Sequence, residues 1–196
     1  MSLLLHAEYM KSQTFLEDFF INTKAEALAL LSRNARLDLL DYYNNKMPAQ
    51  AENAFKGVSK LTNKTESLLQ LDLTAVSRCE LFLDTSQSGD SVVIILHQIK
   101  QPIASFKVEV RNLQDSVLHT SLKMPTAEEF CETLGCSKDE EHALVTCGFV
   151  ATIDEHLKGI KVTLATNLLP KSFQNNLKQK VTQISYVREG GKFVVK

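Results

Sequence analysis

The run Val92-Val93-Ile94-Ile95-Leu96 constrains this chain more than any other feature. It sits inside Ser91 to Ile99, which reads as a strand. Val92, Ile94 and Leu96 fall on one face, and Val93, Ile95 and Ile99 on the other. A strand that is apolar on both faces needs cover on both. Five aliphatic residues cannot cross a bilayer, which takes about 20 in a helix.

The neighbouring segments alternate with a period of two. Cys79, Leu81 and Leu83 interleave with Glu80 and Asp84, a half-buried strand. Ser86 to Asp90 is a turn cluster. Ala104, Phe106, Val108 and Val110 alternate with Lys107, Glu109 and Arg111, and Ser116 to Met124 reads as a further strand. Ala143 to Ile153 and Ile160 to Leu164 form a hairpin around Asp154 to Gly159. Tyr186 to Val195 is a terminal hairpin with a Gly190-Gly191 turn.

Helical signals flank these strands. Thr14 caps a short helix carrying Leu16, Phe19 and Phe20. Lys24 to Leu31 is rich in helix formers, with Asn34 as a break. Pro48 suits the first turn of a third helix. On it Ala51, Ala54, Phe55, Val58, Leu61, Thr65 and Leu68 recur every three or four residues. Thr126 and Glu129 have capping-box spacing, and Gly135 is a natural stop. A last helix follows Pro170, with Phe173, Leu177, Val181 and Ile184 on one stripe.

Strands that follow one another through short turns favour an antiparallel arrangement. The expected fold is α+β: a mostly antiparallel sheet of about 5–7 strands, covered by an N-terminal helical segment and a C-terminal helix. Residues 1–70 form the helical segment and 71–196 the sheet domain, together one cooperative unit.

The 196 residues carry a formal net charge of −1, which argues against a dedicated nucleic-acid binder. The charge is unevenly spread. From Pro170 onward six cations, among them Lys171, Lys178, Arg188 and Lys192, face one acid. From Thr126 to Glu141 six acids, among them Glu128 and Glu132, face one Lys. Each patch could attract a partner of opposite charge. Tyr186 and Phe193 interleave with Arg188 and Lys192, a pattern that can stack bases, although they more simply extend the stripe of the last helix. Nucleic acid is an unfavoured partner.

Phosphate-binding glycine loops and a nucleophile elbow are absent from the sequence. Cys131, Cys136, His142 and Cys147 make a C-x4-C-x5-H-x4-C pattern, whose spacing is foreign to structural zinc sites. Cys147 with His142 or His156 is a poor nucleophile pair, because the acidic surroundings raise a thiol pKa. His97 and His119 sit on strands. Catalytic, cofactor and metal residues are therefore not assigned. Asn63-Lys64-Thr65 matches a glycosylation sequon inside the expected third helix. Sparse cysteines beside apolar residues fit a reducing compartment. The N-terminus lacks a basic signal-peptide region, so a cytoplasmic protein without membrane insertion is expected.

The function expected is non-enzymatic: an adaptor, chaperone-like factor or subunit of a larger assembly. Its partner would be another protein, and a homo-oligomer is compatible. The partner face would combine the apolar sheet residues Val93 and Ile95 with Lys171, Lys178, Arg188, Lys192, Glu128 and Glu132. The alternative is a small-ligand carrier or enzyme with a cavity between helices and a curved sheet, where His97, His119 and Tyr186 supply polar groups.

Overall fold

The computed structural model describes residues 14–85, 91–118, 122, 125–138, 142, 144, 147–166, 169, 171–177 and 183–196. Helix α1, Phe15–Asn22, starts at a reciprocal cap. The Thr14 N–H donates to Glu17 Oε2 at 3.0 Å, and the Glu17 N–H to Thr14 Oγ1 at 3.4 Å. Helix α2, Arg33–Asn44, starts at Ser32, whose Oγ accepts from the Ala35 N–H at 3.1 Å. Between them Glu26–Leu28 forms a single 3-10 turn. The helix expected over Lys24 to Leu31 is therefore reduced to that turn, and Asn34 lies inside α2 rather than at a break.

Seven strands follow: β1 Gln50–Glu52, β2 Val58–Lys64, β3 Leu68–Thr74, β4 Ser77–Thr85, β5 Ser91–Ile99, β6 Ser105–Asn112 and β7 Val117–Leu118. They form one sheet in sequence order. The later elements are α3 Ala127–Leu134, β8 Gly148–Asp154, β9 Gly159–Ala165, α4 Lys171–Leu177, β10 Gln183–Glu189 and β11 Lys192–Val195. Strands β8 to β11 form a second sheet, again ordered by sequence. The β1–β2, β2–β3, β3–β4 and β6–β7 pairs are antiparallel, as are all three pairs of the second sheet. The fold is mostly antiparallel sheet with a few helices, but the expected single sheet of about 5–7 strands is replaced by sheets of seven and four strands.

The third helix expected from Pro48 to Leu68 does not form, so the helical segment expected over 1–70 stops at Asn44. Its residues build β1, β2 and the start of β3. Spacing of three and four is ambiguous when it runs across a turn, because strand positions on either side of the turn can mimic it. Here Asn53 to Gly57 is that turn, and Lys56 has φ 61°. Beyond it burial alternates: Ser59 and Leu61 point inward, Val58, Lys60 and Thr62 outward. Two further expectations change. Leu144 is helical rather than part of the strand that begins at Gly148. Ile184 belongs to β10, not to the helix after Pro170.

By contacts the chain divides into two units, residues 1–95 with 110–118, and residues 96–109 with 119–196. In the first unit one apolar cluster joins Leu16, Phe19 and Phe20 of α1 and Leu39 and Leu40 of α2 to Leu69, Leu71, Leu81, Val93 and Ile95 of the sheet. Burying such side chains contributes about 1.5–3 kcal/mol each. In the second unit Phe130 of α3 meets Phe149 of β8, with ring centroids 5.2 Å apart. Gly148 lets β8 approach the Ala104 backbone. A Cβ at 148 would lie 1.9 Å from the Ala104 carbonyl oxygen, which accepts from the Phe149 N–H at 2.9 Å.

Candidate functional site

The eight residues expected to meet a partner do not form one surface. Val93 and Ile95 lie in the core of the first unit, 0% and 1% exposed. Val92, Ile94 and Leu96 on the other face of β5 are buried as well. The doubly apolar strand thus has its cover, and its residues are not an open docking face. Glu128 and Glu132 are exposed on α3, opposite the buried Phe130 and Cys131, as a solvated helix face requires. Lys171 is exposed at the start of α4. Lys178 and His119 lie outside the described residues. In the terminal hairpin Arg188 pairs with Phe193 and Glu189 with Lys192. Because side chains alternate across a strand, Arg188 shares its face with Tyr186, while Lys192 stands on the opposite face beside Glu189. The basic tail is split between two faces.

None of the four cysteines is in a disulfide, and burial pushes the Cys147 thiol up, away from the reactive thiolate. Among the described residues there is no group of three His, Cys, Asp or Glu side chains placed to hold a metal. Asp154 Oδ1 accepts from the main-chain N–H groups of His156 and Leu157 at 2.9 and 3.0 Å, closing the β8–β9 turn. Hydrogen bonding to Lys161 leads in holding the Asp154 carboxyl below the usual range, helped by those N–H groups. Burial, with Glu129 nearby, pushes the Tyr186 hydroxyl up. None of these groups is poised as an acid or base near neutral pH.

Two features of the first unit were not foreseen. The first is the β1–β2 turn, built around one buried side chain. Asn53 is 5% exposed. Its Nδ2 donates to Ser59 Oγ at 3.2 Å and to the Leu73 carbonyl at 3.0 Å. Its Oδ1 accepts from the Phe55 and Gly57 N–H groups at 3.0 and 3.1 Å. The Ala54 N–H reaches the Leu30 carbonyl at 3.0 Å. Every hydrogen-bonding position of the Asn53 amide is therefore used to fix the loop. Phe55, at its tip, remains 75% exposed, and Val58, where β2 begins, 54%. The antiparallel order puts the β3–β4 turn at the same end of the sheet, with Val76 38% exposed. The signal was present in the sequence: Asn53 and Gly57 are turn formers inside a stretch read as helix.

The second feature is a cleft of about 220 Å³, lined by Phe15, Asp18, Phe19, Asn22 and Thr23 of the α1 region and by Leu113 and Asp115. Asp115, with φ 64°, closes the β6–β7 turn and reaches back to α1. It accepts hydrogen bonds from the Thr23 hydroxyl, from the Lys24 N–H at 2.8 Å and from Arg111 Nη1 at 3.0 Å. Burial alone would raise its pKa, but those donors outweigh burial and hold the carboxyl low. Beneath α1 Arg36 is buried. It donates to the main-chain carbonyls of Leu31, Phe20, Thr23 and Leu28 at 2.7–3.1 Å. It thereby satisfies the carbonyls left over where α1 and the 3-10 turn end.

The fold is similar to a solved structure, that of a domain of an uncharacterized protein from Porphyromonas gingivalis W83. The TM-score is 0.69 at 16% sequence identity, over 93% of this chain and 98% of the other. At that identity the likeness speaks for the fold alone. A search of curated proteins finds no match. The match to a family model is nearly as long as the chain, covering residues 7–189, and the chain belongs to that family, the proteins of unknown function DUF3256.

Proposed function

We propose that this protein is a non-enzymatic protein-interaction module, an adaptor, chaperone-like factor or subunit of a larger assembly. The observation that carries the reading is the Phe55 turn. A large aromatic held at 75% exposure by a buried, fully bonded Asn53 is costly to leave in water. It is also preorganised, so docking it into an apolar groove loses little conformational entropy. Aromatic anchors of this kind carry a large share of interface energies. The contact surface proposed is therefore the Phe55, Val58 and Val76 end of the sheet, in place of Val93 and Ile95. Glu128, Glu132, Lys171, Arg188 and Lys192 all belong to the second unit and would act only by long-range attraction of a charged partner. Cytoplasmic residence is part of the proposal and is supported by the sparse cysteines, only four in 196 residues. Among the described residues no helix is long and apolar enough to cross a membrane.

The test is affinity isolation of the tagged chain from its own source, followed by native mass spectrometry. A stoichiometric protein partner is expected with the wild type. Phe55→Ser should lose it. Ile103→Ser, which removes another largely solvent-facing apolar residue (54% exposed), should keep it. Retention by Phe55→Ser, or loss by both variants, sinks the proposal.

The second reading, a small-ligand carrier, is favoured by the cleft beside Asp115. Its volume of about 220 Å³ falls below the usual range for ligand pockets, about 300–1,000 Å³. Copurification of a small molecule displaced by Phe19→Trp would support it.

A further inference from the structure

Helix α3 ends in a turn whose two main-chain bonds identify its type. The Cys136 N–H donates to the Cys131 carbonyl at 3.0 Å, and the Gly135 N–H to the Glu132 carbonyl at 3.3 Å. Gly135 is left-handed, with φ 63° and ψ 42°. A six-to-one bond wrapped around a five-to-two bond, with glycine at the left-handed position, is a Schellman motif. Its geometry folds the residue after the glycine back against the residue five positions earlier, where two apolar side chains commonly touch. In this chain both of those positions are cysteine. Cys131 is buried and Cys136 half-buried, and neither is in a disulfide. Their main chains are already joined by a hydrogen bond, well placed for the Cα separation of about 4.4–6.8 Å that a disulfide needs.

We propose that Cys131 and Cys136 form a reversible disulfide, a redox-controlled clamp on the C-terminal end of α3. The oxidant is a low-molecular-weight disulfide. Cys136, the more exposed thiol, loses its proton to solvent and attacks one oxidant sulfur. The oxidant's S–S bond breaks and its other half leaves as a thiolate that takes up a proton. Deprotonated Cys131 then attacks the Cys136 sulfur of the mixed disulfide and releases the second small thiol. Two protein thiols and one disulfide become one protein disulfide and two small thiols, so the protein sulfurs are oxidised and the oxidant's are reduced. Closure would pin the turn next to Phe130, which anchors α3 on Phe149.

The test treats the folded full chain with oxidised glutathione, blocks remaining thiols with N-ethylmaleimide after unfolding, and digests with trypsin. Both cysteines lie in the tryptic peptide Met124–Lys138. The expected product is that peptide without maleimide and lighter than the dithiol form by two hydrogens, restored by dithiothreitol, with Cys79 and Cys147 alkylated. Cys131→Ser should instead accumulate glutathione on Cys136. Gly135→Ala keeps both thiols but strains the left-handed position, and should close several-fold more slowly. Gly135→Asn, which tolerates that conformation, should close near the wild-type rate. A stable glutathione adduct on wild-type Cys136, pairing of Cys136 with Cys79 or Cys147, or Gly135→Ala closing as fast as wild type would overturn the proposal.

Discussion

In the first unit three polar ties that join helices to strands and turns carry charge; in the second unit a neutral amide, Gln98, makes a comparable tie between strands. Arg36 gathers four carbonyls around the ends of α1 and the 3-10 turn. Buried Glu17 of α1 pairs with Lys64 at the end of β2. Asp115 staples the β6–β7 turn to Thr23 and Lys24. In the second unit Gln98, 4% exposed, does similar work without charge. Its Nε2 donates to the carbonyls of Ile99, Ser105 and Phe149 at 2.8–3.2 Å, and its Oε1 accepts from the Ala151 N–H at 2.7 Å. It thereby satisfies part of the outer edge of β8, an edge strand of its sheet. The difference teaches where sensitivity to pH should reside. Charged ties satisfy more acceptors per side chain but cost more to bury and respond to protons; a neutral amide has nothing to titrate.

The largest effect should come from Arg36→Leu. The Phe20, Thr23 and Leu31 carbonyls lose the Arg36 donors, while the Leu28 carbonyl keeps the Leu31 N–H, and a cost of about 3–5 kcal/mol is expected from chemical denaturation. Arg36→Lys should recover only part of this, because an ammonium has fewer donors and no planar fork. Hydrogen exchange should show the loss in α1 and α2 and not in β9 or β10; a loss spread evenly over both units would break the contrast.

Gln98→Ala should cost about 2–3 kcal/mol, by stranding the Ala151 N–H and the Phe149 carbonyl. The loss should be the same at every pH near neutrality. Gln98→Glu sharpens the comparison, since it puts a titratable group at this tie and should make the stability the tie contributes depend on pH.

Asp115→Asn should cost about 1 kcal/mol at neutral pH and also flatten the acid limb of the stability curve. The wild-type carboxyl titrates below its unfolded value, so its contribution is present above the ordinary carboxylate range. It fades as pH falls through that range to the lowered folded value. A pH titration of the melting temperature with an unchanged acid limb in Asp115→Asn would assign the acid response elsewhere. The smallest effect belongs to Glu52→Gln. Its pair with Lys56, 3.0 Å apart, is solvent-exposed on both sides, and no measurable change in stability is expected.

The elements legible in the sequence are those whose signals are local. Thr126, Glu129 and Gly135 delimit α3 because caps and stops act within one turn of chain. Ser91 to Ile99 is a strand with the bounds its apolar run suggests. The terminal hairpin turns at Gly190-Gly191. The stretch from Pro48 to Leu68 went the other way, because its spacing looked the same for a helix stripe as for two strands across a turn. What decided it was Asn53, whose amide finds Ser59 and the Leu73 carbonyl only once β3 lies alongside. The site followed the same rule. Exposure at Phe55 and burial at Val93 and Ile95 depend on what packs above them, and apolar identity is equally compatible with either.

The sequence by itself determined the antiparallel α+β character, the positions of β4, β5 and β6, and the capped ends of α1 and α3, since alternation and capping are written in neighbouring residues. Only the tertiary structure decided that the strands divide into two sheets, that Val93 and Ile95 join one apolar cluster with residues of α1 and α2, and that Arg188 and Lys192 part company. It also decided that the main chains of Cys131 and Cys136 close on each other across a turn. Each of these rests on contacts between residues distant in the chain or on a dihedral angle at one glycine, and neither is encoded in hydrophobic periodicity.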